Sequence, residues 1–570
     1  MSKNDLKPEN VFTSWDWSDV EPLYESLAHQ SINSHNLPGW LSEWTSWHNL
    51  LEETHNRCYV ATTCHTDDIQ ARQKYQRYLQ EIYPEAEQAE QRLKEHLLAS
   101  GETLPGIENP LRNIRAEAGL YCAENVPLLS NEKELITHYD EILSNQTILW
   151  KGVEIPIPQI QPILQAPKRT EREAAWRSAS QRQLQDREQI NELWCQFYDL
   201  RRSLAINKGM ENYRAYRWQQ LLRLDYSVQD CYRFHSAIEK VVLPAAKRVF
   251  ERRRQKMGLP SIRPWDNQAD PLNRPRLQPC QNSIELRDGC GRILQQINPQ
   301  LGEYFDILCK GELLDLENRK GKAPGGYCIE FSLSKLPFIF MNAVGIHDDV
   351  LTLVHESGHA FHAFEQFKLP YHLQYACNLE FMEVASTTME YLSSPYLASE
   401  NGGFYSAQDA ARAVVERLES LLLFLPYMAV VDVFQHRVYE NPRLAENPAE
   451  LDSIWAAQWQ RFMPHEDWSG LEEEMKTGWQ RKLHIFEDPF YYIEYGLAEL
   501  GAVQIWMNSL QNQAKAIQSY LTALSLGSTV NINQQYQTAR ASLIWDEEPL
   551  ARIITFLENK IEELSSVAEG

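Results

Sequence analysis

Residues 349–366 read DVLTLVHESGHAFHAFEQ. Asp348 and Asp349 can cap a helix start, and Leu351, Val354 and Phe361 supply its apolar face. Inside this predicted helix, His355-Glu356-Ser357-Gly358-His359 is an H-E-x-x-H pattern. Four residues is about one helical turn, so both imidazoles share a face and can meet one tetrahedral zinc. Glu356, next to the first histidine, is placed to take a proton from a water activated there. With 16 His and 78 acids in 570 residues, composition alone predicts only about 0.06 such matches, so coincidence is a poor account.

A hydrolytic zinc site needs three protein ligands and one open position. Glu365 lies six residues past His359, but His362 stands where a turn-forming glycine would be wanted. Residues 379–392, LEFMEVASTTMEYL, read as a second helix, and Glu383 lies 24 residues past His359, a suitable distance for a helix–turn–helix return. Glu383 is the preferred third ligand, with Glu380 and Glu365 as alternatives. Glu380 and Glu390 fall on roughly the same face, where one could orient a ligand imidazole. His362 reads as a hydrogen-bonded neighbour, and His347 as a loop or substrate-site residue.

Outward from the motif, helical periodicity dominates. Residues 68–99, 170–204, 227–256 and 408–434 repeat apolar positions at three- and four-residue steps, as long helices or helices with hidden breaks. Residues 319–345 break that pattern: a Gly-rich loop precedes two β-rich runs, 327–333 and 337–342. An exposed strand edge there could hold an extended peptide. The Pro-rich stretch 150–167 is the best candidate boundary.

The net charge of −23 (Lys+Arg 55, Asp+Glu 78) argues against nucleic acid or an anionic membrane as partner. The basic run 247–256, KRVFERRRQK, reads as a solvated or salt-bridged helix face. The start MSKNDLKPENVFTSWDW has no apolar h-region, and ten scattered cysteines, from Cys58 to Cys377, read as free thiols. Both predict a cytoplasmic protein.

Several runs occur in a fixed order: GMENYRAYRW (209–218), GLPSIRPWD (258–266), GKAPGGYCIEFS (321–332), PFIFMN (337–342), the motif itself, EFMEVASTTMEYL (380–392) and HIFEDPFYYIEYGLAELGAVQIW (484–506). Together they resemble the thimet-oligopeptidase and oligoendopeptidase F family of zinc metallopeptidases, closest to the oligoendopeptidase F branch. The likeness runs from about residue 176 to the end. It implies a mainly α fold, two helical halves around a deep substrate channel, with a small antiparallel sheet beside the zinc. Residues 1–170 would form a helical region in the channel wall and 171–570 the catalytic region.

The resemblance assigns His355, His359 and Glu383 to one Zn²⁺ and Glu356 to the general base. It places His484, Tyr491 and Tyr495 opposite the scissile carbonyl. A Gly-rich spacer of the thimet branch is replaced here by Phe486-Glu487-Asp488-Pro489, so the choice among tyrosines stays open and includes Tyr492. Gly325, Gly326 and Tyr327 would line the substrate cleft. The expected activity is hydrolysis of internal bonds in short, unstructured peptides. The alternatives are an exo-acting peptidase that trims C-terminal residues or dipeptides, and a catalytically silent peptide-binding protein.

Overall fold

Helices account for most of the computed structural model, which describes residues 16–375 and 378–570. The first fifteen residues and Cys377 lie outside the described residues. An N-terminal body is built from the helices Trp17–His29, α1 (Leu37–Cys64), α2 (Tyr83–Ser100) and Glu108–Leu120. Its core is unusually rich in tryptophan. Trp40, Trp44 and Trp47 recur at four- and three-residue steps on one face of α1 and pack with Tyr24, Tyr78, Leu93 and Leu97. Tyr371, more than 250 residues beyond this body, completes the same core, which ties it to the H-E-x-x-H region. A second, much larger cluster runs continuously from Cys64 to Ile561.

The long periodic stretches are helices with local faults. Residues 68–99 form Ile69–Arg77, a π-turn at Tyr78–Ile82, then α2, and residues 227–256 repeat this as Val228–Ala237, Ile238–Val242 and Leu243–Lys256. In both, a proline (Pro84, Pro244) is the second residue after the π-turn. Proline has no N–H to donate, and the wider turn accommodates the missing bond and the ring. Residues 170–204 are two helices, Arg169–Gln185 and Arg187–Asn207, whereas 408–434 lie in the unbroken helix Ala407–Glu440. The Pro-rich stretch contains a hairpin, β1 (Thr147–Trp150) and β2 (Val153–Pro156), turned at Lys151 and Gly152, both with positive φ. With Ala179 and Trp176 from the next helix it closes a small core of its own.

The expected pair of strands beside the motif is antiparallel: β4 (Tyr327–Phe331) on β5 (Leu336–Ala343). A third strand that periodicity did not signal, β3 (Leu314–Glu317), joins β5 in parallel, so the sheet is mixed, in the order β3-β5-β4. At four residues β3 is too short to show alternation. In that order β4 is an edge strand.

β5 leads into α3 (His347–Gln366), which carries the motif. Its first turn is capped from within: Asp349 Oδ2 accepts the main-chain N–H groups of Val344, Gly345 and Ile346 at 2.6–2.9 Å. α4 (Leu379–Ser393) returns against α3 and is covered on its other side by α6 (Tyr492–Gln511); α5 is Ala407–Glu440. Glycines set both approaches. A Cβ on Gly358 would lie 2.6 Å from Ala385 O and Ser386 Cα, and one on Gly501 would lie 2.9 Å from Val384 Cγ2 and Tyr536 Cε1. No helix among the described residues is long and apolar enough to cross a membrane.

At Gly358 the obstacle is main chain, which cannot swing aside. Gly358→Ala is therefore expected to force α3 and α4 apart and to destabilise the protein by about 1–3 kcal/mol, read as a lowered denaturation midpoint.

Candidate active site

α3 and α4 bring three donors to one point. The ligand atoms of His355, His359 and Glu383 all lie within 4.8 Å of one another. Glu383 Oε2 is 3.6 Å from His355 Nε2 and 4.0 Å from His359 Nε2. These separations are long for hydrogen bonds and close to the edge of a tetrahedron about a zinc ion, about 3.4 Å for bonds near 2.05 Å. Two imidazoles and one carboxylate also form a donor set that suits zinc and leaves a fourth position open. The residues fit the ion.

Two of the three donors, His355 and Glu383, are oriented from behind. His355 Nδ1 donates to Glu390 Oε1 at 2.8 Å, which leaves Nε2 facing Glu383. Arg417, from α5, donates to Glu390 Oε2 (2.9 Å) and to Glu499 on α6 (2.6 Å), and Glu499 also accepts the Tyr391 hydroxyl (2.6 Å). Ser386 Oγ donates to Glu383 at 3.2 Å. The other acids are occupied elsewhere. Glu365 accepts from Tyr304, Gln300 and Lys368, and Glu380 accepts the Tyr226 hydroxyl. His362 is buried with its Nε2 2.8 Å from Gln366, and His347 Nδ1 lies 2.9 Å from the Tyr405 hydroxyl.

Glu356 is buried beside this cluster. Burial pushes its carboxyl up to about 7, against the opposing pull of His355, and it accepts a hydrogen bond from the Cys328 main chain on β4.

The C-terminal segment supplies a wall of rings. The His484 imidazole lies 6.2 Å from Tyr491, 4.9 Å from Tyr492 and 5.7 Å from Tyr495, centre to centre. Tyr495 in turn contacts Tyr491 and Tyr492 at 5.3 and 5.6 Å. Burial and then Lys482 pull His484 down to about 4, and burial followed by the Glu383 charge pushes Tyr495 up to about 12. Both groups are neutral at pH 7. His484 Nδ1 is buried without a hydrogen-bond partner.

Arg223 fastens this segment, and the sequence reading missed it. Its guanidinium donates to Phe490 O (2.6 Å) and to Glu494 (2.7 Å). Phe490 N donates to Gln435 at 2.7 Å, and these bonds hold Phe490 at φ +67°. A bulky residue at positive φ is the one local signal available, and it is visible only in the structure.

Of the residues expected to line a cleft, Gly325 and Gly326 are exposed at the entrance to β4. Tyr327 is stacked on Phe340, 4.8 Å between centres, and its hydroxyl bonds to Thr63.

Residues 163–552 match the model of peptidase family M3. The chain belongs to that family. Among curated relatives, oligopeptidase PepF of Bacillus subtilis (strain 168) is 22% identical over 57% of this chain and 47% of its own. An oligoendopeptidase F homolog of Borreliella burgdorferi is 22% identical over 44% of this chain and 42% of its own. The M3 chain thus spans less than half the length of these relatives in alignment. The solved structure of PZ peptidase A with an inhibitor covers 98% of this chain and 99% of its own, at 26% identity and a TM-score of 0.85.

The acids behave differently in this geometry, so substitutions should sort them. Glu390→Ala is expected to weaken zinc binding 10–100-fold, because His355 loses its orienting acceptor. Glu365→Gln, whose carboxylate faces Tyr304 and Lys368, should leave zinc affinity unchanged; competition with a chromogenic chelator measures both.

Proposed function

We propose that this M3 chain is a zinc-dependent endopeptidase that cleaves internal bonds of short, unstructured peptides in the cytoplasm. The observation that carries the reading is the convergence of the His355, His359 and Glu383 donor atoms at ion-sharing distances, with a buried carboxyl, Glu356, alongside. Nine described cysteines are all unpaired, which suits a reducing compartment. In this reading residues 1–170 wall a substrate channel and 171–570 carry the chemistry.

A zinc ion held by His355, His359 and Glu383 would supply a Lewis acid for the scissile carbonyl and lower the pKa of water. Glu356, with a carboxyl near neutrality, accepts the proton of the attacking water and passes it to the leaving amine. The Tyr495 hydroxyl and the neutral His484 imidazole donate to the carbonyl oxygen as it gains charge, with Tyr491 or Tyr492 as a further donor. The β4 edge, entered through Gly325 and Gly326, aligns the main chain of an extended peptide, the geometry of strand addition.

Mass mapping of products from a pool of short peptides, beside the Glu356→Gln chain, tests the reading. Internal fragments are expected from the native chain, and loss of the base should lower turnover about 10²–10⁴-fold with zinc still bound. Release of only one or two C-terminal residues would make the enzyme exo-acting, and retained peptides without products would make it a binding protein. Tyr495→Phe is expected to lower kcat about 10²–10³-fold with little change in KM.

A further inference from the structure

A second cluster of metal-binding side chains lies away from the motif. His48 on α1, Glu90 on α2 and His372, in the connector between α3 and α4, place one ligand atom each within 4.8 Å of the others. His48 Nδ1 is 3.3 Å from Glu90 Oε1, a direct ion-pair contact whose length is also close to the edge of a metal tetrahedron, about 3.4 Å. The cluster opens on a cavity of about 800 Å³ that all three residues line. Glu87, Glu95 and Glu117 also face that cavity, against Arg92 and Lys94, so its walls favour a cation.

The decisive atom is His372 Nε2. The residue is 7% exposed, and this nitrogen is buried with no hydrogen-bond partner among the described residues. Its other ring nitrogen, Nδ1, lies 3.0 Å from Thr45 Oγ1, which also accepts the His372 main-chain N–H. A histidine held at Nδ1 and bare at Nε2 has the arrangement of a metal ligand steadied by its second nitrogen. An orphaned buried ring nitrogen otherwise costs stability and needs a reason.

Glu90, unlike Glu365 and Glu380, lies beside two imidazole donors and keeps lone pairs beyond those its own bonds use. Its carboxylate accepts the Tyr24 hydroxyl on one oxygen and Trp44 Nε1, at 2.8 Å, on the other, so its orientation is fixed by the N-terminal core. His48 now stacks on the His372 ring, 4.1 Å between centres. Its side chain is 32% exposed.

We propose that His48, Glu90 and His372 bind a divalent first-row transition ion, separate from the one at the motif. Two imidazoles and a carboxylate suit zinc, and water from the cavity completes the coordination. Two of the ligands belong to the N-terminal body and the third to the α3–α4 connector. The bound ion would therefore staple that body to the chain segment that delivers Glu383.

The test uses the full-length chain and Zn²⁺ itself, with bound metal counted by elemental mass spectrometry after equilibration in a chelator-buffered solution. Two equivalents are expected in the native chain and one in His48→Ala, a partly exposed position. Glu90→Gln, which keeps the Tyr24 and Trp44 contacts in reach, should lose the same equivalent. Glu383→Ala addresses the other site. Zn²⁺ should raise the melting temperature of the Glu383→Ala chain and not that of Glu383→Ala/His48→Ala. Equal metal content in the native and His48→Ala chains overturns the proposal, as does a Glu383→Ala chain whose melting is indifferent to Zn²⁺. A failure confined to Glu383→Ala metal counts bears on the motif ligands alone.

Discussion

The close approach of α3 to α4 is the constraint on which the candidate site depends. Histidines one turn apart on α3 define a face, but a third donor must come from another element at the right height. Gly358 lies between those histidines and against the Ala385–Ser386 backbone, two residues past Glu383. The glycine inside H-E-S-G-H is thus a packing residue: it lets the helix that carries Glu383 reach the helix that carries the imidazoles. Gly501 does the same on the far side of α4, where α6 brings in the aromatic wall.

Charge follows from that packing. α4 carries Glu383, Glu380 and Glu390, and three carboxylates on one buried helix need partners drawn from elsewhere. His355 and Arg417 share Glu390, Arg417 continues to Glu499, and Tyr226 takes Glu380. The bonds that neutralise the acids are the same ones that orient His355 and lock α5 and α6 against α4. A buried network of this kind is stable only when every member is satisfied, which makes its geometry strict. The tyrosine segment is held by a parallel device, with Arg223 bridging the Phe490 carbonyl and Glu494.

Much of this was legible beforehand where chemistry sits close in the chain. The H-E-x-x-H spacing put His355, His359 and Glu356 on one predicted helix, and periodicity gave the helical stretches without telling the unbroken α5 from the broken ones. Two kinds of feature escaped. Local faults such as the π-turns before Pro84 and Pro244 and the four-residue β3 leave too short a trace to register as a period. Partners distant in sequence, Arg417 for Glu390 and Arg223 for Glu494, carry no local mark at all.

The sequence by itself determined the donor types, their order, and the helical face shared by His355 and His359, because side-chain direction repeats with the helical turn. It also narrowed the third donor to Glu383, Glu380 or Glu365. Only the tertiary structure separated those three acids, since each has the same charge and a similar helical setting. What distinguishes them is the neighbour each meets: the imidazoles for Glu383, Tyr226 for Glu380, and Tyr304 with Lys368 for Glu365. Those neighbours come from other helices, and contact between helices is decided by packing across the core, which no local spacing encodes.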